Sequence, residues 1–110
     1  MFIIIFVKQD LLKEIQDINK LAIAKGQFEV FGNKGCVAYS FLLRDRVFNF
    51  INCHLTHGAE KVQKRNQQAS EIIKDLKLQN TLYKGLECDS YADFNFFFGD
   101  LNYRNNSTFE

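Results

Sequence analysis

Cysteine is scarce in this sequence, and its spacing argues against two classes of small protein. The three cysteines, Cys36, Cys53 and Cys88, lie far apart and form no Cys-x-x-Cys pair. Neither a disulfide framework nor a structural zinc site is built on such a pattern. We therefore expect reduced thiols and a cytoplasmic protein.

Proline, net charge and long apolar runs are also missing. Without proline the chain has no proline-rich linker, and no domain boundary is visible in its 110 residues. Fourteen basic and thirteen acidic residues leave a formal charge of +1, too little to attract the whole molecule to nucleic acid. The apolar run at residues 2–7 is far shorter than the roughly 20 residues of a membrane helix. What remains is an ordinary globular composition with enough chain for one core.

The first quarter of the chain predicts two strands and a helix. Residues 2–7 are continuously β-branched or aromatic, which favours a buried strand covered on both faces. Residues 8–17 are charged with apolar side chains at helical spacing, which predicts a short surface helix. A further strand is expected at residues 21–24.

A hairpin and a late aromatic strand follow. Residues 36–43 and 47–53 are rich in strand formers, and the polar Arg44-Asp45-Arg46 between them suits a tight connection. Residues 94–98 predict a strand that ends at Gly99. The twelve phenylalanines fall inside such strands and not between basic residues, so we assign them to the core rather than to a base-stacking surface.

The clearest helix is predicted over residues 60–78. Apolar side chains recur at helical period on the side expected to face inward: Val62, Ala69, Ile73 and Leu76. Asn66, next to Arg65, interrupts this stripe in the turn closest to the loop that follows His54. We interpret them as a structural clamp between helix and loop rather than as substrate contacts.

Two polar side chains follow the aromatic strand. Asp100 and Asn102 flank Leu101, so they can face the same space while Leu101 turns to the core. A carboxylate can orient and deprotonate a water, and an amide N–H can hold a phosphoryl oxygen. Taken alone, the run Gly-Asp-Leu-Asn favours a simple turn in which both side chains bond their own backbone.

Other candidate groups are basic. His54 lies at the exit of strand 47–53, where an imidazole can donate to a phosphate, although a structural histidine fits that position equally well. His57 has no third ligand nearby, which favours a surface residue over a metal ligand. Lys34 and Arg104 lie on predicted turns and could offset phosphate charge, but each taken singly suits a solvated surface.

The order of these pieces resembles one enzyme family. Along the chain come four motifs: Gly32-Asn33-Lys34-Gly35 before the hairpin, Asn52-Cys53-His54-Leu55 at its end, Arg65-Asn66 on the helix, and Phe98-Gly99-Asp100-Leu101-Asn102-Tyr103-Arg104 after the last strand. Together they resemble the inositol polyphosphate 5-phosphatases of the endonuclease/exonuclease/phosphatase superfamily, over essentially all of residues 1–110. The combination is much more specific than any single motif.

The resemblance implies a fold, a reaction and a set of site residues. The fold is α+β, a fragment of a two-sheet sandwich with outer helices. The reaction is magnesium-assisted removal of the 5-phosphate from a phosphoinositide or a soluble inositol polyphosphate, with peripheral membrane contact. Asp100 would position the attacking water, Asn102 would hold the phosphoryl group, and His54 would stabilise the scissile phosphate. The substrate pocket would be lined by Asn33, Lys34, Tyr103 and Arg104.

The resemblance also implies that residues 1–110 form a central part of the catalytic domain. The glutamate that binds magnesium in the family would precede Met1, and its Asp-His and basic recognition motifs would follow Glu110. We therefore expect the isolated chain to be inactive or nearly so. Two alternatives stay open: another phosphodiesterase of the superfamily, such as a nuclease or sphingomyelinase, and a non-catalytic module that binds a phosphoinositide or a protein.

Overall fold

A four-stranded mixed sheet carries one long helix on one of its faces. The computed structural model describes residues 1–24, 34–80 and 92–104, with the side chains of 77–80 left out. In chain order the elements are β1 (Ile15–Ala24), β2 (Gly35–Leu43), β3 (Arg46–His54), α1 (Val62–Asn80) and β4 (Phe94–Asp100). The α+β class expected from the sequence is confirmed.

The sheet has the order β1-β2-β3-β4 and changes direction once. The first three strands are antiparallel neighbours, whereas β3 and β4 run parallel. A parallel pair cannot be joined by a tight turn, because the chain must return to the starting edge of the sheet. The segment containing α1 makes that return, and α1 covers one face of the sheet.

The predicted hairpin, helix and last strand are confirmed. The hairpin turns at Arg44 and Asp45, whose φ angles of 49° and 60° are those of a two-residue type I′ connection. Glu14 fixes this turn by accepting two hydrogen bonds from the Arg44 guanidinium. The long helix begins with a 3-10 turn at Ala59–Lys61, and the aromatic strand continues as far as Asp100.

The prediction of a buried strand at residues 2–7 is wrong. The segment has no regular secondary structure, and Phe2, Ile4 and Phe6 are 76%, 65% and 93% exposed. A strand needs a hydrogen-bonded neighbour, and none of the described residues supplies one. A side-chain hydrogen bond nevertheless ties the segment to the sheet, because the Asn52 amide donates to the Phe2 carbonyl at 2.9 Å.

The helix predicted over residues 8–17 is also wrong. Only Leu12–Glu14 forms a 3-10 turn, and β1 starts directly afterwards at Ile15, including the strand expected at 21–24. A bulge near Asp17, where φ is 52°, shifts the register of β1 on β2. Pairing with β2 therefore outweighs a local helical pattern that is too short to be stable alone.

The face of α1 that meets the sheet differs from the predicted stripe. Leu76 is buried and Ala69 packs against the core, as expected, but Val62 and Ile73 are 42% and 41% exposed. The buried positions are instead Arg65, Gln68, Ile72 and Leu76. Two of these four are polar, which a hydrophobic pattern assigns to solvent.

Three phenylalanines of β4 are not core residues, which corrects the assignment of all twelve to the interior. Phe94, Phe96 and Phe98 alternate along β4 on the face away from α1 and are 46%, 45% and 40% exposed. Phe94 stacks on Phe48 and Phe96 on Phe50, each with ring centroids 4.8 Å apart.

Among the described residues, no helix is long and apolar enough to cross a membrane.

Adjacent isoleucines on α1 provide a matched test of the packing. Ile72 is completely buried, whereas its neighbour Ile73 is not. We expect Ile72→Ala to lower the free energy of unfolding by about 2–5 kcal/mol, because it leaves a cavity between α1 and the sheet. Ile73→Ala should cost less than about 1 kcal/mol. Urea unfolding of both variants measures the difference, and equal losses would contradict the placement of α1.

The end of the sheet remote from His54 is fixed by one carboxylate. Asp93 accepts hydrogen bonds from the Val47 backbone N–H at 2.7 Å and from the Arg46 guanidinium at 2.8 Å. The hydrogen bond from the Val47 N–H is the main reason that the pKa of Asp93 lies below its ordinary value, and the hydrogen bond from Arg46 is the second.

This lowered pKa gives the fold a small dependence on acid. A carboxyl group with a depressed folded pKa stabilises the protein above its unfolded pKa, near 3.8, and that contribution is lost as the pH falls through the lower folded pKa. We expect Asp93→Asn to flatten the stability profile below about pH 4, with Asp10→Asn as the control. Parallel acid profiles for the wild type and Asp93→Asn would refute this.

Candidate functional site

Three strand ends meet at one edge of the sheet. In the antiparallel pair Gly35 lies opposite His54, and in the parallel pair His54 lies opposite Asp100. The start of β2 and the ends of β3 and β4 therefore share this edge. The fold in this way brings together Lys34, His54 and Asp100, which are far apart in the sequence.

The side chains at this edge are in direct contact. The Asp100 carboxylate lies 3.4 Å from the His54 Nε2, and the Lys34 ammonium lies 2.5 Å from the same nitrogen. With Lys34 as an ammonium donor, the Nε2 of His54 accepts, which corresponds to the tautomer that carries its proton on Nδ1. His54 is about one-third exposed and Asp100 about two-thirds, so both can meet a ligand from solvent.

Gly99 allows β4 to approach β3 immediately before Asp100. Its φ is 118°, and a Cβ at this position would lie 2.2 Å from the Cys53 carbonyl oxygen and 2.8 Å from the Cys53 nitrogen. No side chain fits between these backbone atoms. The separation of His54 and Asp100 therefore depends on a glycine at position 99.

Asn102 is joined to the loop that follows His54. Its φ is 55°, and its side-chain amide donates to the Leu55 carbonyl at 3.0 Å, while the Leu55 N–H donates to the Asp100 carbonyl at 3.0 Å. Asn102 thus bonds a neighbouring segment rather than its own turn. Leu101, between the two polar residues, packs against the core as predicted. One Asn102 amide N–H is already occupied.

The remaining predicted site residues lie in different surroundings. Tyr103 turns toward α1, where its hydroxyl donates to the Asn66 side chain at 2.6 Å. Arg104 is exposed, and residues 99–104 line an open groove of about 530 Å³. Asn33 lies outside the described residues. The contacting group therefore consists of Lys34, His54 and Asp100, with Asn102 attached through Leu55.

The first turns of α1 anchor the loop after His54. The Arg65 guanidinium donates to the carbonyls of Thr56 and Gly58, at 3.1 and 2.6 Å. Gln68 accepts from the Thr56 N–H at 3.0 Å. The interpretation of Arg65 as a helix–loop clamp is confirmed. Gln68 was missed, although its spacing of three residues from Arg65 places both on the same side of a helix.

The described residues do not fit a resident magnesium ion. No group of three or more His, Cys, Asp or Glu side chains in this part of the chain is arranged to hold a metal. Magnesium prefers oxygen ligands, and this edge offers the single carboxylate of Asp100 with the Lys34 ammonium nearby. His57 is exposed on the following loop.

Comparisons with known proteins identify relatives of the whole segment. The family model "Endonuclease/Exonuclease/phosphatase family 2" matches residues 1–110. Phosphatidylinositol 3,4,5-trisphosphate 5-phosphatase 2A of Danio rerio is 35% identical over 102 residues, which are 93% of this chain and 8% of that protein. The human phosphatidylinositol 3,4,5-trisphosphate 5-phosphatase 2 is also 35% identical, over 91% of this chain and 8% of its own length.

A solved structure gives the same result for the fold. The inositol polyphosphate 5-phosphatase domain of SPsynaptojanin, in complex with inositol (1,4)-bisphosphate and a calcium ion, matches with a TM-score of 0.64 and 27% identity. The match covers 91% of this chain and 27% of that one. This chain therefore spans about a quarter of that solved structure and less than a tenth of the two curated relatives.

The close approach at Gly99 can be tested against a second glycine. We expect Gly99→Ala to destabilise the protein by about 3 kcal/mol or more, because a methyl group would collide with the β3 backbone. Gly58 also has a positive φ, 113°, but a Cβ there would meet only the flexible Glu60 carboxylate. Gly58→Ala should therefore cost about 1–2 kcal/mol.

Thermal melts and amide exchange at Leu55, whose N–H bonds Asp100, measure both effects. Equal destabilisation by the two alanines, with Leu55 still protected in Gly99→Ala, would contradict the geometry of this edge.

Proposed function

The chain belongs to the Endonuclease/Exonuclease/phosphatase family 2, and on this premise we propose that it is part of the catalytic domain of an inositol polyphosphate 5-phosphatase. Such an enzyme is a phosphoric monoester hydrolase that removes the 5-phosphate of a phosphoinositide or a soluble inositol polyphosphate. The observation that carries the proposal is the contact of Lys34, His54 and Asp100 at one sheet edge. Phosphate hydrolysis requires mainly alignment and charge neutralisation, which suits these groups.

In the proposed reaction Asp100 orients the attacking water and accepts its proton. Asp100 is the carboxylate of the described edge, it is exposed, and it lies beside His54. A carboxylate placed next to the scissile phosphate can act as such a base when the phosphate charge is offset by cations.

Lys34 and His54 are proposed to bind the phosphoryl oxygens. In the unliganded protein the Lys34 ammonium donates to the His54 Nε2. A phosphate oxygen is a stronger acceptor for an ammonium group than a neutral imidazole, because the hydrogen bond is then charge-assisted at both ends. On binding, Lys34 would turn to the phosphate, and the freed Nε2 of His54 would take up a proton from solvent and donate it in a hydrogen bond to a phosphoryl oxygen.

The other site residues have supporting roles in this proposal. Asn102 has one amide N–H bonded to Leu55 and offers the second to a phosphoryl oxygen. Arg104 adds positive charge at the exposed end of the groove, and Tyr103 forms its wall while anchored to Asn66. Asn33 is included on the resemblance of its motif.

A magnesium requirement and a cytoplasmic location belong to the same proposal. The magnesium rests on the family resemblance and on the calcium ion present in the solved relative. The described residues do not form its site, so no step is assigned to it. The proposed substrates are charged groups in the cytosol or at a membrane surface, which fits a cytoplasmic protein with peripheral membrane contact.

Ligand binding tests the proposed site directly. We expect inositol 1,4-bisphosphate, titrated into the ¹⁵N-labelled chain, to shift the amide resonances of Lys34, His54, Asp100 and Arg104. His54→Ala should weaken the apparent affinity about tenfold, because it removes one charge-assisted hydrogen bond. His57→Ala, at an exposed histidine three residues away, is the control. Shifts confined to other surfaces, or equal effects of both alanines, would count against the site.

Catalysis by the isolated chain is expected to be absent. The described residues form no magnesium site, and hydrolysis without metal loses most of the electrostatic stabilisation of the transition state. Phosphate release from phosphatidylinositol 4,5-bisphosphate in magnesium should therefore be the same for the wild type and Asp100→Asn. Turnover comparable to that of a complete 5-phosphatase would refute this expectation.

A further inference from the structure

Arg65 is an unusual residue, because its charged side chain is completely buried. It is 0% exposed and is the largest fully buried side chain among the described residues. Arginine is almost never fully buried unless an acidic group pairs with it. No carboxylate in the described part of the chain does so, and its Nε and Nη2 have no hydrogen-bond partner. A buried charge without such compensation is costly, so a specific role is indicated.

One side of the Arg65 guanidinium holds the segment that leaves β3. Its Nη1 donates to the carbonyls of Thr56 and Gly58, which follow His54 by two and four residues. Hydrogen bonds from a charged donor are stronger than neutral ones, especially away from water. The path of the chain after His54 is therefore fixed from inside the protein.

The aromatic contact of Arg65 involves the segment that leaves β4. The guanidinium carbon lies 5.2 Å from the centre of the Tyr103 ring, within the range of a cation–π interaction. Tyr103 follows Asp100 by three residues, and its hydroxyl donates to Asn66 next to Arg65. A single side chain thus contacts both segments that carry the ends of the candidate site.

From these contacts we propose that Arg65 is a positioning residue, which holds residues 55–58 and 101–104 against α1 so that His54 and Asp100 stay in contact. The inference rests on the proposed function and deepens it. Two hydrogen bonds transmit the effect, because the Leu55 N–H donates to the Asp100 carbonyl and Asn102 donates to the Leu55 carbonyl. Arg65 itself is separated from solvent and acts through these segments.

The chemistry of the contacts explains why arginine is used. Two carbonyls and an aromatic face are engaged together, and the planar guanidinium offers several donors at its rim and a flat surface for stacking. A lysine ammonium is a compact point charge and can reach one carbonyl without stacking. Arg65→Lys therefore keeps the charge and loses the geometry.

The experiment compares Arg65→Met and Arg65→Lys with Lys64→Met, a substitution at the exposed neighbouring position. Amide exchange of the 110-residue chain reports the junction at Leu55 and the core at Ile51. Long-range ¹H–¹⁵N spectra report which imidazole nitrogen of His54 carries the proton. We expect Arg65→Met to speed exchange at Leu55 at least about tenfold relative to Ile51, and to change the ratio of the two His54 tautomers, because His54 no longer keeps its place beside Asp100. Arg65→Lys should be intermediate.

The proposal is overturned if Arg65→Met folds and matches Lys64→Met in both readouts. Where Arg65→Met does not fold, Arg65→Lys decides, and wild-type protection at Leu55 with a wild-type His54 tautomer overturns the proposal. If Arg65→Met speeds exchange at Leu55 and Ile51 equally, Arg65 has only a general structural role, and the proposal is again overturned. Neither readout uses a phosphate ligand. A chain that binds no inositol 1,4-bisphosphate but shows the Arg65 effect therefore refutes the proposed function and leaves the positioning role standing.

Discussion

The parallel pairing of β3 with β4 is the constraint on which the candidate site depends. Because the two strands run in the same direction, their carboxyl ends lie at the same edge, and the register places His54 opposite Asp100. A shift of one residue would turn one of the two side chains toward the α1 face, since side chains alternate along a strand. Gly99 makes this register possible, because no larger residue fits against the Cys53 backbone. The sheet register therefore decides that His54 and Asp100 face each other, and the segments that follow the two strands hold them at contact distance.

The helix needed to connect two parallel strands also supports the site. Its apolar residues, Ile72 and Leu76, pack on the sheet, while its polar residues nearer the amino end, Arg65 and Gln68, bond the loop that leaves β3. Those polar groups are buried and leave two guanidinium nitrogens unpaired, so this end of α1 gives less net stability than an apolar face would. The loss is concentrated beside the residues proposed to bind phosphate, which is the usual location for stability given up to hold a site in place.

Sequence reasoning succeeded where structure is determined locally. The hairpin, α1 and β4 each carry their own signal, a tight polar turn or an apolar period, and all three are confirmed. Residues 2–7 and 8–17 were predicted wrongly because their conformation depends on neighbouring strands rather than on their own side chains. The burial of Arg65 could not be predicted, since a charged residue is normally assigned to solvent. The grouping of His54 with Asp100 came from motif order, but the contact of Lys34 with His54 became visible only in the structure.

The groups at this edge affect the binding of a phosphate and the binding of a metal ion in different ways. Lys34 and Asp100 both contact the imidazole of His54, so this edge offers a ligand one ammonium, one imidazole and one carboxylate. A magnesium ion prefers oxygen ligands, and the one carboxylate of this described edge offers it too few of them. In the proposed enzyme this edge would bind the phosphate, and a metal ion would be held by residues outside the described part of the chain.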